Sequence, residues 1–304
     1  MTSIKEFIGE DYVHSANSLF HFMNEEKYLI SALRRKALCP RYCSEDISYL
    51  KITNGGTDFS KVAVLQKCFC DIPLRNIVRK FEIHLTENND LSDEQKRKLR
   101  LECSHTDLYG RYALSFSKKW GEEKKLQPVH YISQESAGTA RFSQMFHDVL
   151  QLEDLPDSVS DMLLNWLCFL KPLRGTMWHR LETEDQERVD CEIFKNFHDE
   201  HEWRFVPADF DVDGTKFDSL IANGAVGSGF LRSMSDKIEE ERFRSVWLPF
   251  QYEDIRYIVV PDGSGRRNVI EAIQKLPDGT FEDLFQQATL ISKILVLDDI
   301  MKDF

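Results

Sequence analysis

The sequence has little that marks an exported, membrane-bound or metal-built protein. Its opening residues, MTSIKEFIGEDYVH, lack the basic n-region and apolar h-region of a signal peptide. No apolar run approaches the ~18 residues of a membrane span. Cysteine occurs seven times, an odd number, and no two are spaced as C-x-x-C. A disulfide framework is therefore not expected, and a zinc site has little support. The C-x-C pair in CFCDIP reads as two buried thiols. These features point to a reducing cytoplasm, with no structural disulfide and no metal. The nine histidines form no H-x-x-x-H pair, and there is no G-x-S-x-G elbow. DGSGRRN (262–268) holds only the start of a dinucleotide fingerprint and reads as a basic turn. Positive charge is also short: 39 Lys and Arg against 51 Asp and Glu leave a net charge of −12. That disfavours general nucleic-acid binding, though a local basic patch can override the sum.

What is present is ordinary globular composition. The 304 residues are 42% hydrophobic and 30% charged, enough for a sizeable core. Phenylalanine, with 21 copies, predicts an aromatic-rich interior. Short alternating runs predict strands at 18–22, 112–117, 128–133, 202–207 and 256–260, with further apolar strands at 62–70 and 291–297. The spacing of Tyr28, Leu29, Ala32 and Leu33 predicts a helix, capped by Asn24. Pro73 is placed to open a second helix through PLRNIVRKFEIHL. Ser92 followed by Asp93 and Glu94 starts a charged helix inside an excursion at about 83–104. Residues 140–170 and 268–276 also read as helical, and 208–245 as a polar loop with a short helix. Strands and helices mix without strict alternation, so the class is α+β. One domain over 1–304, with small mixed or antiparallel sheets and flanking helices, is expected.

Three places could carry chemistry. His21 sits in an apolar strand, where it is either a hydrogen-bonded core residue or a ligand contact beside the next helix. Tyr109 and Tyr112 flank Gly110 and either pack in a sheet or stack on a planar ligand. Within NFHDEHEWRFVP, Glu200 and Glu202 are two apart, which in a strand puts both on one face. Like charges so placed need a solvated face, a cationic partner or a functional pocket.

The ordered blocks CFCDIPL, HTDLYGRYALSFSKKWG, QPVHYIS and DEHEWRFVP resemble the AbiGi family of bacterial abortive phage-infection proteins. The likeness runs from about His21 to Val260. It departs at YALSFSKKWG, where Lys119 stands in place of an acid common in relatives. The resemblance implies phage resistance, in some members as the antitoxin-like partner of a nucleotidyltransferase toxin. A more distant likeness links LFHFMNEEKYLISALRRKAL to DarT-like ADP-ribosyltransferases. It implies an ADP-ribosyltransferase-like fold and NAD as substrate. His21 would then contact the adenosine ribose, and Tyr112 (or Tyr109) the nicotinamide. Glu202 would be the catalytic carboxylate, with Glu200 serving the acceptor. The competing expectation is a non-enzymatic defence module. It would bind a cognate toxin or a phage protein, with Glu202 and Arg204 as a structural pair across strands. Convergence of His21, Tyr112 and Glu202 on one cleft separates the two.

Overall fold

The ten-residue strand Lys61–Cys70 organises the molecule, because its partners come from across the chain. The computed structural model describes residues 15–303, apart from 55–56, 151, 153, 155, 186 and 223–226. The opening segment read above for a signal peptide lies outside these residues. Val62–Leu65 are almost wholly buried, as expected of a strand covered on both faces. In one direction this strand pairs with Glu202–Phe205 and then Gln127–Pro128. In the other lie Ser18–Met23, Tyr112–Ser117, Ile255–Val260 and Ile294–Val296. Arg41–Asp46 and Leu220–Ala222 pair with its first half. The sheet has nine strands and is antiparallel except for the last pair, Ile255–Val260 with Ile294–Val296. The strands expected at 18–22, 112–117, 202–207 and 256–260 all belong to it, and the α+β class holds.

Each face of the central strands has its own core. On one, Leu19, Phe69, Leu114, Phe116 and Ile258 pack with Leu29 and Leu33 of helix Glu26–Arg35 and Val269 of helix Gly263–Gln274. On the other, Phe20, Cys70, Ala113 and Val259 pack with Ile72, Ile77 and Leu297. The aromatic interior is evident where Phe116 stacks on Trp120 at 4.1 Å. Gly110 is required where it stands. Its φ is 116°, and a Cβ there would lie 2.2 Å from the Met23 carbonyl oxygen.

Several elements differ from the sequence expectation. After Pro73 the helix lasts only from Leu74 to Ile77. FEIHL instead alternates, burying Ile83, and forms short strands against Glu102–Cys103 and Phe194. The segment 208–245 holds the expected short helix, Ser228–Ile238, but the rest is not a loop. It adds three short strands and a 3-10 turn, because Phe217, Leu231, Ile238 and Phe243 are buried together. DGSGRRN starts a helix, not a turn. Asp262 caps it by accepting from the Ser264 and Gly265 N–H groups at 2.8 and 2.9 Å. Glu25, not Asn24, occupies the cap position of the first helix and makes no side-chain capping bond. The charged helix Asp93–Lys98 forms as expected, with Ser92 and Gln95 in a reciprocal capping box. The antiparallel hairpin Arg174–Glu182 and Arg188–Asn196 has no counterpart in the expected elements.

All seven cysteines are free thiols. Among the described residues, no group of three or more His, Cys, Asp or Glu side chains could hold a metal ion. No helix among them is long and apolar enough to cross a membrane.

Candidate functional site

Glu200 and Glu202 do meet, but not because both lie in one strand. Glu200 ends a 3-10 turn over Phe197–Glu200, and strand Glu202–Phe205 begins two residues later. His201 between them is left-handed at φ 44°, which reverses the chain locally. The two carboxylates converge on one ammonium: Lys171 Nζ lies 3.0 Å from Glu200 Oε2 and 2.7 Å from Glu202 Oε2. Lys171 is held in place by the short parallel pair His130–Ile132 and Leu170–Pro172, where it sits beside Tyr131. The Tyr131 hydroxyl accepts the Glu202 N–H at 2.8 Å.

The remaining oxygens also have partners. Arg204 Nε donates to Glu202 Oε1 at 2.7 Å. Its other nitrogens reach Glu45 at 2.9 Å and the Cys168 carbonyl at 2.8 Å. Glu202 and Arg204 are therefore paired along one strand, two residues apart on the same face, and not across strands as expected. Lys195 Nζ lies 2.7 Å from Glu200 Oε1 and donates to the Tyr109 hydroxyl at 2.6 Å. Tyr109 in turn donates to Glu200. Three carboxylates and three cations thus form one network. The Arg204, Glu202 and Glu200 side chains are 0, 3 and 4% exposed, so charge balance and hydrogen bonding are obligatory.

The electrostatics follow from that closure. Burial raises the Glu202 carboxyl, but Arg204 and Lys171 outweigh it and hold it well below its ordinary value. Burial raises Glu200 likewise, and Lys171 and Lys195 reverse that shift. Burial alone would discharge Lys171; the two glutamates instead keep its pKa well above normal. Burial, and then the negative Glu200, push the Tyr109 phenol well above its usual range.

The other sequence-derived candidates lie elsewhere. Opposed residues in an antiparallel ladder share a face, and neighbours along a strand alternate. His21 opposes Leu114 and Tyr112 opposes Met23. Phe20 opposes Cys70, which also opposes Glu202. His21 and Tyr112 therefore occupy one face of the sheet, and Glu202 the other. The His21 Nδ1–H donates to the Cys68 carbonyl at 2.9 Å. Burial, then the nearby Lys67, pull its pKa to about 3. Tyr112 has Glu26, Asp262 and Arg111 as charged neighbours. Of the five candidates, the structure brings together Tyr109, Glu200 and Glu202.

Beside this network, between Pro73–His84 and the 196–201 turn, lies a cleft of about 960 Å³. Lys195, Glu200 and His105 contribute to its wall. The sequence reading missed Lys171, Lys195 and Glu45. One signal was present: Val189, Cys191, Ile193 and Lys195 alternate along one strand face, so Lys195 is a charge on the apolar side.

Residues 91–261 match the family model described as "Putative abortive phage resistance protein AbiGi, antitoxin". A protein of Lactococcus lactis subsp. cremoris called "Abortive phage resistance protein AbiGi" is 31% identical over 279 residues, which is 88% of this chain and all of that relative. The chain belongs to the AbiGi family. Its place is thus among abortive phage-resistance proteins, and the four sequence blocks pointed to the right family. No solved structure matches the chain.

Proposed function

We propose that this chain is the antitoxin-like member of an abortive-infection pair, which restrains a cognate toxin by direct binding. The observation that carries this reading is the separation of the NAD-site candidates. Glu202, cast as the catalytic carboxylate, is on the opposite sheet face from His21 and Tyr112. Its oxygens are also committed to Arg204 and Lys171. A carboxylate that is to stabilise an oxocarbenium ion needs access to the sugar as charge develops. One neutralised by two buried cations serves the fold instead. The family description names an antitoxin, which supports the same reading. A net charge of −12 also favours rapid encounter with a basic partner.

The test is co-expression with the toxin of the same defence system, together with an NAD assay on the purified chain. The chain alone is expected to leave growth unchanged. It should restore growth when the toxin is made, co-purify with it, and leave NAD intact. Growth arrest by the chain alone with NAD consumption would instead establish the transferase reading. A complex with a phage protein and none with the toxin would also overturn the proposal.

A further inference from the structure

The cleft beside the charge network has a lining of three kinds. The first is cationic. Arg75, Arg79, Lys80 and Arg174 all line it and are exposed. Among the described residues, none of these side chains has an acidic partner. Two exposed acids, Glu82 and Asp199, also line it. The rim therefore has a positive excess on a strongly acidic protein, a local patch that overrides the overall sign. The second kind is aromatic. Phe81 and Phe194, 40 and 45% exposed, both line the cleft. Neither ring stacks on another among the described residues. Exposed rings beside unpaired cations are what base stacking and phosphate contact require together. The third kind is buried and polar. His105, 7% exposed, lines the cleft, and its Nε2 has no hydrogen-bond partner among the described residues. Asp71, 6% exposed, also lines it; its Oδ1 has no partner among the described residues, and its other oxygen is taken by Lys118. Buried polar atoms without partners are rare, and both lie where a ligand could supply them.

We propose that this cleft binds a nucleotide unit. Its phosphates would meet Arg75, Arg79, Lys80 and Arg174, its base would lie against Phe81 and Phe194, and its polar edge or ribose would reach His105 and Asp71. The volume, about 960 Å³, is at the upper end of the range for small-ligand pockets. An acidic peptide would use the cations but gains nothing from Asp71 in the wall, whereas a base amino group or ribose hydroxyl can donate to its Oδ1. Burial, followed by the nearby Lys195, keeps His105 neutral, with a pKa of about 3. Its Nε2 can therefore either donate to the ligand or accept from it, according to the tautomer. The ligand is either a free nucleotide or a nucleotide within a single strand, since both present the same groups.

Binding is read by fluorescence anisotropy on the intact chain with two probes: a fluorescent ATP analogue, and a labelled single-stranded RNA of about ten nucleotides. At least one probe should bind in the micromolar range and weaken with added salt. Arg79→Glu and Phe194→Ala should each weaken binding about tenfold, while Lys302→Glu, outside the cleft, should not. Both cleft positions are exposed, and circular dichroism checks that the variants are folded. Binding of the RNA that excess ATP fails to displace assigns a strand; binding of ATP alone assigns the free nucleotide. The proposal is overturned if neither probe binds more tightly than ~1 mM. It is equally overturned if Arg79→Glu and Phe194→Ala bind as the parent does.

Discussion

The buried charge network and the exposed rim of the cleft beside it use charge in opposite ways. Inside, Glu45, Glu200 and Glu202 are matched by Lys171, Lys195 and Arg204, and most of their polar atoms have a partner within 3.0 Å. Outside, Arg75, Arg79, Lys80 and Arg174 are exposed and, among the described residues, have no acidic partner. Desolvation explains the difference. A buried charge must be neutralised locally, whereas an exposed one is stabilised by water and stays available to a ligand. Residues of the same type are therefore structural in the network and available on the rim.

The comparison breaks most sharply at Arg204. Arg204→Met should destabilise the chain by about 3–5 kcal/mol, because Glu202 and Glu45 would be left without their shared counter-charge. Glu202→Gln should follow at about 3 kcal/mol, since it leaves Lys171 with Glu200 alone and Arg204 with Glu45 alone, one buried cation in excess. Adding Lys171→Met to Glu202→Gln should recover part of that loss, as groups in one network do not act additively. Urea denaturation measures all three. Losses as small as those of an exposed ion pair would contradict the closed network.

Acid should act next, in two stages. His21 and His105 are held neutral, their pKa values brought from 6.5 to about 3 by burial and nearby lysines. The unfolded chain then binds more protons, so stability falls as the pH drops from 6.5 towards 3. Glu200 and Glu202 are depressed below 4.5. Their contribution is complete above 4.5 and is lost as the pH falls through their lowered values. A level denaturation midpoint between neutral pH and pH ~4.5 would count against the buried histidines.

The smallest effect belongs to the rim. Arg79→Ala and Arg174→Ala should change stability by no more than about 0.5 kcal/mol, as substitutions of exposed, unpartnered side chains do. A larger loss would mean that the rim, too, is structural.

Much of the sheet was legible in the sequence because period-two alternation marks a half-buried strand directly. YALSFS and EWRF both show it, and both became strands of the central sheet. The candidate site was legible only in part. Two close glutamates demanded an explanation, and a cationic partner was one of the three named. Which cation could not be read, because Lys171 and Lys195 come from different strands and reach the site through pairings that depend on the whole chain. His21 and Tyr112 illustrate the converse. Their order along the chain resembles a ligand site, but facing is decided by strand register, and register placed Glu202 on the other side. The hairpin Arg174–Asn196 was invisible because its first strand puts Trp178 on the exposed face and Gly175 and His179 among the inward positions, which blurs the alternation.

The strand Lys61–Cys70 also shapes how the chain must fold. One edge is covered by Ser18–Met23 and Arg41–Asp46, made before it; the other awaits Glu202–Phe205 and Leu220–Ala222. At ribosomal speed the gap from Cys70 to Glu202 takes on the order of ten seconds. During that time an apolar strand has one edge unpaired, and Arg204 has not yet arrived to neutralise Glu45. Such long-range closure slows folding and leaves the nascent chain open to aggregation. A truncated product ending before Glu202 should therefore be sticky and short-lived, and the full-length chain becomes competent all at once, when its second edge is sealed.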